Sequence, residues 1–210
     1  MLARAISRLV PGDAVDVGAG AGGNTRVLSD AGWRTAAVEL SPVGAKLAKS
    51  RGTAIIRADA LNLPFPDRQF DLLVSMDLWE HIEDDKSAAA EAMRVLRPGG
   101  RAFIAVPCHM TLWSDHDVAV GHVRRYEKQQ LLELVSGAGF HIVDISYWNV
   151  LLRPVAKWRR KQDTGGSDLG RVPAVVNAGL RTIVAAERFL PVQNLPGVSL
   201  VIRARRPSAK

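Results

Sequence analysis

Short apolar runs alternate with segments of helical periodicity along the first half of the chain. The apolar runs predict strands at 14–18, 34–40, 53–59, 69–76 and 101–107. The segments between them predict helices at 24–31, from Ser41-Pro42 to about residue 50, and near 84–96. Strands that alternate with helices at this spacing form βαβ units, so the pattern predicts an α/β fold with a doubly wound, parallel sheet.

The second half continues this pattern with longer connections. A helix is predicted at about 127–138, and strands at 140–148 and 197–205 bring the predicted number of strands to seven. The connections at 108–126 and 149–195 are longer than the fold requires. We expect a single domain over 1–210, with its core at 12–148 and 196–206 and with these two insertions as lids.

A loop almost without side chains follows the first predicted strand. The sequence DVGAGAGGN, residues 16–24, fits the dinucleotide fingerprint G-x-G-x-x-G through Gly18, Gly20 and Gly23. It also fits an acidic-x-G-x-G-x-G pattern through Asp16, Gly18, Gly20 and Gly22. Bare backbone allows close approach of a ligand, and the start of a helix near Asn24 adds a positive dipole end. The loop alone leaves open which nucleoside cofactor binds.

Two carboxylates end the next two predicted strands. Ligands of doubly wound sheets bind beyond the carboxyl ends of the strands. Glu39 lies 21 residues after Gly18 and is placed to accept hydrogen bonds from both hydroxyls of a ribose. Asp59 is placed to accept from an adenine amino group. The alternative is that both are ordinary surface carboxylates.

A set of short motifs follows between residues 59 and 100. In order, they are Asp59-Ala60, Leu63-Pro64-Phe65, Phe70-Asp71, Glu80-His81 and Arg97-Pro98-Gly99-Gly100. Together they resemble the class I S-adenosylmethionine-dependent methyltransferases, specifically the type 11 methyltransferase domain group, over about residues 14–106. The resemblance implies a Rossmann-like, mostly parallel seven-stranded sheet with an antiparallel last pair of strands, and S-adenosyl-L-methionine as cofactor.

The resemblance also implies a role for each residue of the cofactor site. Asp16 would lie near the methionine amino group, and Glu39 would hold the ribose hydroxyls. The other implied contacts are Gly18, Ala19, Gly20 and Asn24 in the loop, Leu40 and Leu61 beside the adenine, Asp59 and Ala60 at its edge, and Ser75 and Met76 at the methionine end. The Glu39 carboxylate disfavours NADP, whose 2′-phosphate it would repel.

The first insertion, residues 108–126, is rich in histidine. Its pattern W-S-x-H-D-x-x-x-G-H-x-R-R-Y resembles a bacterial methyltransferase subgroup whose substrates are mostly unassigned. Methyl transfer to a hydroxyl or a protonated amine needs alignment and removal of a proton, for which imidazole is suited. The predicted bases are His116 and His122, with His81 as a third candidate. A hydrogen bond that orders the loop is the alternative for each.

Other side chains of this insertion have two interpretations. Tyr126 is predicted to close on the substrate or to cap the following helix. Arg124 and Arg125 either bind an anionic group or pair with Asp115 and Asp117 to hold the loop shut. No metal is expected, because Cys108, His109, His116 and His122 lack the paired spacing of structural zinc sites.

The sequence of the second insertion, residues 149–195, predicts a helical lid, and this lid is basic at 153–161. Apolar residues recur at helical spacing at Val176, Leu180, Ile183 and Val184. Residues 1–100 hold 12 Lys and Arg against 13 Asp and Glu, a net charge of −1, and the other 16 against 8 give residues 101–210 a net charge of +8. Peripheral contact with an anionic membrane through 153–161 is one interpretation, and a stripe that faces the core is the other.

The sequence also predicts where the protein is located in the cell and to which functional class it belongs. No signal peptide and no spanning run of apolar residues is evident, and the single cysteine, Cys108, fits a reducing compartment, so we expect a cytoplasmic protein. The favoured function is methyl transfer to a small-molecule acceptor, hydrophobic or anionic, with nucleic acid an unlikely partner. RNA methylation, an NAD-dependent oxidoreductase and a non-catalytic cofactor-binding protein are the alternatives.

Overall fold

A mixed sheet of six strands organises the structure, a computed structural model that describes residues 1–161, 179, 182–184, 186, 187, 189, 190, 192 and 194–208. The strands are β1 (Asp13–Val17), β2 (Arg34–Val38), β3 (Phe70–Met76), β4 (Leu96–Pro107), β5 (His141–Trp148) and β6 (Ser199–Arg205). Their order in the sheet is β2-β1-β3-β4-β6-β5. The first four are parallel, and β6 runs antiparallel to both β4 and β5. The predicted fold class is confirmed.

Helices connect these strands. They are α1 (Leu2–Ile6), α2 (Gly23–Asp30), α3 (Pro42–Ser50), α4 (Asp85–Val95), α5 (Asp115–Ala119), α6 (Lys128–Gly137) and α7 (Arg153–Lys161), with single 3-10 turns at Trp79–His81 and Met110–Leu112. Local chemistry starts several of them. Ser41 caps α3 by accepting a hydrogen bond from the Gly44 N–H, and Pro42 fills the first position of that helix. Asp84 caps α4 in the same way through the Ser87 N–H.

The third predicted strand, residues 53–59, is the main correction to the predicted sheet. This segment forms a single bridge, between Val38 and Ile56. The Ile56 N–H donates to the Ala37 carbonyl oxygen at 2.8 Å, and the Glu39 N–H donates to the Ile56 carbonyl oxygen at 3.0 Å. The segment lies beside β2 at the end of the sheet, and 42% of Ile56 is exposed. Without burial on both faces, the apolar run does not extend into a strand, so the sheet formed by the described residues has six strands instead of the predicted seven.

The core lies on both faces of the sheet. Leu73 belongs to the cluster that also contains Trp79 and Leu131, whereas its neighbour Leu72 belongs to the other cluster, with Leu28. Successive side chains of a strand point to opposite faces, so an unbroken apolar strand indicates that both faces are covered. The N-terminal helix α1, which the sequence pattern did not predict, contributes to the second cluster.

The described part of the second insertion contains the basic helix α7. Its residues 153–161 are RPVAKWRRK, and α7 contacts the turn at Met110–Leu112 in the first insertion. Val176 and Leu180 of the predicted stripe lie outside the described residues, whereas Ile183 and Val184 lie in described helical segments. Among the described helices, none is long and apolar enough to span a bilayer. The single-domain organisation stays a prediction.

Candidate active site

The glycine loop presents bare backbone at the carboxyl end of β1. The N–H groups of Gly18 and Ala19 both donate to the Val38 carbonyl oxygen at 2.9 Å, which ties the loop to β2. Gly18 has a φ of +76°, and a Cβ at this position would lie 2.9 Å from the side chain of Leu78. Gly20 has a φ of +51°, and a Cβ there would meet no described atom within 4 Å. The loop therefore leaves open space beside Gly20, where a ligand can approach.

Asp16 lies at the entrance to this loop and is fully buried. Its Oδ2 accepts a hydrogen bond from the Thr25 hydroxyl at 2.6 Å. Its Oδ1 has no hydrogen-bond partner among the described residues. Burial raises the pKa of Asp16 to about 6, although the hydrogen bonds from Thr25 oppose this effect. A buried acceptor without a partner is costly, so Oδ1 is suited to receive a donor such as the amine of a ligand.

Glu39 joins the glycine loop to the start of α3. Its Oε2 accepts from the Gly20 N–H at 2.8 Å, and its Oε1 accepts from the Ser41 N–H at 2.7 Å. Each carboxylate oxygen can accept a second hydrogen bond. The two backbone donors therefore orient Glu39 and leave acceptor capacity for the two hydroxyls of a ribose.

The predicted adenine side combines exposed apolar residues with a carboxylate. Leu40 is 58% exposed and Leu61 is 37% exposed. Asp59 is also exposed, and its Oδ1 accepts from the Leu61 N–H at 2.9 Å, while Ala60 is buried. Asn24 is half-buried in the first turn of α2. Exposed apolar side chains next to an oriented carboxylate are suited to a planar base with an amino group.

The predicted methionine end lies at the carboxyl end of β3. Ser75 is buried, and its hydroxyl oxygen has no partner within the part of the chain that the structure describes. Met76 is half-buried beside it, and Asp77 follows in a left-handed conformation, with a φ of +53°. Two neighbouring strands, β1 and β3, thus each present a buried polar atom, Asp16 Oδ1 and Ser75 Oγ, that has no hydrogen-bond partner among the described residues. This edge fits a cofactor that has an amine, a ribose and an adenine.

Two of the three predicted bases lie against each other. The rings of His81 and His122 meet edge to face, with centroids 4.7 Å apart and an interplanar angle of 75°. Nδ1 of His122 lies 2.7 Å from Asp117 Oδ1, and Nδ1 of His81 lies 3.1 Å from the Gly121 carbonyl oxygen. A carbonyl or carboxylate oxygen can only accept, so the neutral rings carry their protons on Nδ1. This arrangement leaves a lone pair on each Nε2.

Asp117 is the centre of the histidine loop, as we call residues 108–126. It is fully buried, its Oδ1 also accepts a hydrogen bond from Nε of Arg125 at 2.8 Å, and Nη2 of Arg125 lies 2.7 Å from the same oxygen in an ion pair. Burial raises the pKa of Asp117, but the hydrogen bonds from Arg125 and His122 outweigh it, and the net pKa is lowered. Asp117 is therefore an anion that fixes both partners. Arg125 pairs with Asp117, which is one of the two roles that the sequence predicted for it. Arg124 pairs instead with Asp85, at 2.6 Å.

Glu80 is the functional candidate that the sequence interpretation missed. It appeared only as part of a family motif, but the structure buries it completely. Neither carboxyl oxygen has a hydrogen-bond partner among the described residues, and Oε1 lies 3.8 Å from Nε2 of His122. Burial is the main cause that raises the pKa of Glu80 to about 8. The available signal was its position beside His81, immediately after β3.

The other predicted catalytic residues lie differently. His116 is exposed on α5 and lies outside the His81–His122 pair. Tyr126 is buried, and its hydroxyl donates to Asp85 Oδ2 at 2.8 Å and lies 3.2 Å from the Trp79 carbonyl oxygen. Burial and the Asp85 carboxylate raise its pKa. The N-cap of α6 is Glu127, not Tyr126, since Glu127 and Gln130 form a capping box.

The metal ligands considered from sequence do not come together. Cys108 is buried with its thiol directed at the Gly197 carbonyl oxygen, and Nδ1 of His109 lies 3.1 Å from Glu127 Oε2. The described residues bring together a different set, in which one ligand atom each from Glu80, His81 and His122 lie within 4.8 Å of one another.

The sequence of the chain is similar to that of known methyltransferases. Residues 15–104 match the family model described as a methyltransferase domain. The chain is 40% identical over 111 residues to the probable chloroplastic tocopherol O-methyltransferase of Oryza sativa subsp. japonica, a match over 49% of this chain and 31% of the relative. It is 32% identical over 149 residues to the 2-methyl-6-phytyl-1,4-hydroquinone methyltransferase of Synechocystis, over 66% of this chain and 45% of the relative. The chain thus spans about a third to a half of the length of these relatives.

Solved structures share the fold over nearly the whole chain. The crystal structure of the cyclase SpnF matches with a TM-score of 0.67 at 25% identity, over 99% of this chain and 80% of that one. An S-adenosylmethionine-dependent methyltransferase from Mesorhizobium loti matches with a TM-score of 0.67 at 20% identity, over 97% and 95%. The second likeness concerns the fold alone. The matches confirm the resemblance that the sequence motifs predicted.

Proposed function

We propose that this chain, whose residues 15–104 match the methyltransferase domain model, transfers the methyl group of S-adenosyl-L-methionine to a small hydrophobic acceptor. The observation that carries the proposal is the buried Oδ1 of Asp16, which lacks a partner among the described residues and adjoins the bare loop at Gly20. The cofactor offers an amine for Asp16 and ribose hydroxyls for Glu39. NAD would instead place a pyrophosphate at this loop, close to the Asp16 carboxylate.

The proposed acceptor class follows from the named relatives. Their names specify tocopherol, 2-methyl-6-phytyl-1,4-hydroquinone and, for a relative from Renibacterium salmoninarum that is 37% identical over 105 residues, demethylmenaquinone. A phytyl hydroquinone has an aromatic hydroxyl and a long apolar chain. We propose an acceptor of this chemistry, with an ionisable hydroxyl or ring carbon as the methylated atom.

The residues of the histidine loop have a role in this reaction. Bound S-adenosyl-L-methionine supplies a methyl group that is already activated by its positive sulfur, so the chain must align the acceptor and remove its proton. We assign proton removal to His122. Asp117 holds the proton of His122 on Nδ1, at 2.7 Å, and thereby leaves Nε2 as the basic nitrogen. His81 packs against this ring and restricts its orientation.

The basic helix α7 is proposed to contact the membrane in which such an acceptor would dissolve. Lys157 is exposed and contributes positive charge, and Val155 on the same helix is 40% exposed. Basic and apolar residues on one short helix bind anionic lipid surfaces. Flotation with vesicles is expected to recover the protein with anionic lipids and not with neutral ones. Equal recovery with both would contradict this contact. A cytoplasmic location stays part of the proposal.

The function is tested with purified protein, S-adenosyl-L-methionine and a panel of prenylated hydroquinones. The shared fold of a cyclase shows that the fold alone does not fix the reaction, so the readout must be S-adenosylhomocysteine. His122→Gln is expected to lower kcat by about 10²–10⁴, the usual contribution of a general base. His141→Gln, exposed on β5, is the control and is expected to leave kcat unchanged. Calorimetric binding of NAD without binding of S-adenosyl-L-methionine would overturn the proposal.

A further inference from the structure

Glu80, His81 and His122 bring three potential metal-ligand atoms close together, an arrangement that proton removal by His122 does not require. We propose that these three side chains form a binding site for a divalent transition-metal ion of the Zn²⁺ type. This differs from the expectation of no metal, which rested on the spacing of Cys108 and the loop histidines. The new site joins two residues after β3 to one residue of the histidine loop.

The geometry of the donor atoms supports a shared ion. One ligand atom from each residue lies within 4.8 Å of the other two. Oε1 of Glu80 and Nε2 of His122 are 3.8 Å apart, which is too long for a hydrogen bond. Two ligands that each lie about 2.1 Å from one ion can be separated by at most about 4.2 Å, so the spacing of Glu80 and His122 accommodates an ion between them. The 4.8 Å bound on the whole set exceeds this maximum by about 0.6 Å, so the exposed His81 ring completes the site after a movement of that size.

The hydrogen bonds around the histidines support the same conclusion. Nδ1 of His122 faces Asp117 at 2.7 Å, and Nδ1 of His81 faces the Gly121 carbonyl oxygen at 3.1 Å. Histidines that bind metals characteristically donate their other ring N–H to a carboxylate or a backbone carbonyl. Both rings therefore have the outer contacts of a metal ligand, and both Nε2 atoms keep a lone pair.

Glu80 provides the independent observation. It is fully buried, and its two carboxyl oxygens have no hydrogen-bond partner within the described chain. Buried polar groups in proteins are almost always satisfied, and an exception calls for a missing partner. A cation between Glu80 and His122 supplies that partner, and no protein donor among the described residues does so.

The ligand types select the class of ion. Two imidazoles and one carboxylate match sites for Zn²⁺ and other first-row divalent ions, whereas Mg²⁺ and Ca²⁺ prefer sites made only of oxygen. His81 is exposed, so the site opens to solvent on that side. Three protein ligands with an open side leave at least one position for water.

Occupancy of this site has a consequence for the proposed reaction. A metal ion on Nε2 of His122 removes the lone pair that would accept the acceptor's proton. We therefore expect Zn²⁺ to inhibit methyl transfer and EDTA to restore it. This consequence rests on the proposed function, whereas the existence of the metal site does not.

The site is tested on the purified full chain after treatment with a chelator, without cofactor or acceptor. Co²⁺ serves as a spectroscopic probe, because its visible absorption intensifies when protein nitrogen and oxygen atoms replace water. Zn²⁺ binding is measured by calorimetry. One equivalent of Zn²⁺ is expected to bind, with no detectable binding of Mg²⁺. Glu80→Gln and His122→Gln are each expected to weaken Zn²⁺ binding at least tenfold.

Matched controls keep the test decisive. His116→Gln alters an exposed histidine of the same loop and is expected to leave Zn²⁺ affinity unchanged. Glu80→Gln preserves the shape of the side chain, and a thermal melt verifies folding. If that variant fails to fold, the exposed His81→Gln gives the same readout. Absence of stoichiometric binding, or binding that none of the ligand substitutions weakens, would overturn the metal site. Calorimetry with S-adenosyl-L-methionine tests the proposed function separately.

Discussion

The two regions that flank the proposed reaction differ in how their buried carboxylates, Asp16 and Asp117, are hydrogen-bonded. At the cofactor edge, by which we mean Asp16 to Asn24 with Glu39 and Ser75, Asp16 Oδ1 and Ser75 Oγ have no partner among the described residues. In the histidine loop, Asp117 accepts from Arg125, from His122 and from the Ser114 N–H. The cofactor edge keeps hydrogen-bonding capacity for a ligand, whereas Asp117 uses its capacity to hold the shape of the loop.

This difference separates stability from binding. An unsatisfied buried polar atom lowers stability by about 1–3 kcal/mol, and it persists where a ligand later supplies the partner. A buried charge that is fully paired contributes little net stability, but removal of one partner is strongly destabilising. Substitutions at the cofactor edge are therefore expected to alter ligand affinity, and substitutions at the centre of the loop to alter folding.

The largest effect is expected from Asp117→Ala. This change leaves the Arg125 guanidinium, which is 3% exposed, without its anion. The free energy of unfolding is expected to fall by about 3–5 kcal/mol, as measured by urea denaturation. Asp115→Ala, at an exposed position of the same helix, is the control and should change it by no more than about 0.5 kcal/mol. Similar losses for both variants would remove the distinction between the two regions.

The next largest effect is expected on cofactor affinity. Asp16→Asn keeps an oxygen near Thr25 but removes the negative charge that faces the open loop. A hydrogen bond to a charged group contributes about 1.5–3 kcal/mol, so the Kd for S-adenosyl-L-methionine is expected to rise roughly 10- to 150-fold by calorimetry. Asp30→Asn, exposed at the end of α2, should bind as wild type does. A wild-type Kd for Asp16→Asn would show that the amine binds elsewhere.

The pH dependence of cofactor binding is a second test of the role of the Asp16 charge. The pKa of Asp16 is raised to about 6, so its carboxylate loses charge as the pH falls through that value. At pH 5 about a tenth of Asp16 is ionised, and affinity for the cofactor amine is expected to be about tenfold weaker than at pH 7.5. Asp16→Asn should bind almost independently of pH in this range. An equal pH dependence in both proteins would assign the titration to another group.

Sequence patterns predicted the strands that carry the cofactor edge well because the determinants of those strands are local. The apolar runs at 14–18 and 69–76 correspond closely to β1 and β3, and Glu39 lies at the end of β2 as expected. The exception is residues 53–59, where the apolar composition was visible but the exposure that limits pairing was not. Burial at the edge of a sheet depends on which elements pack nearby. The sequence of a single segment does not show which elements these are.

The arrangement of the histidine loop was not predictable for a different reason. Its contacts join residues that are far apart in sequence, such as Arg124 with Asp85, 39 positions away. The Val123 N–H donates to the Glu80 carbonyl oxygen, which brings the loop over the buried carboxyl of that residue. The sequence shows which residue types the loop holds, but the contact of His122 with His81, the exposure of His116 and the burial of Tyr126 depend on tertiary packing.

The smallest effect is expected from Tyr126→Phe, which tests whether this residue belongs to the structural side of the comparison. Its hydroxyl donates to Asp85 and lies within the core, so loss of this hydrogen bond is expected to lower the free energy of unfolding by about 0.5–1.5 kcal/mol. Because the ring still fills its place in the core, kcat is expected to stay within twofold of wild type. Tyr147→Phe, at a half-buried position on β5, is the control for removal of a phenol hydroxyl. A large loss of kcat at unchanged stability would show that Tyr126 takes part in the reaction. The histidine loop would then contact the acceptor in addition to holding its own shape.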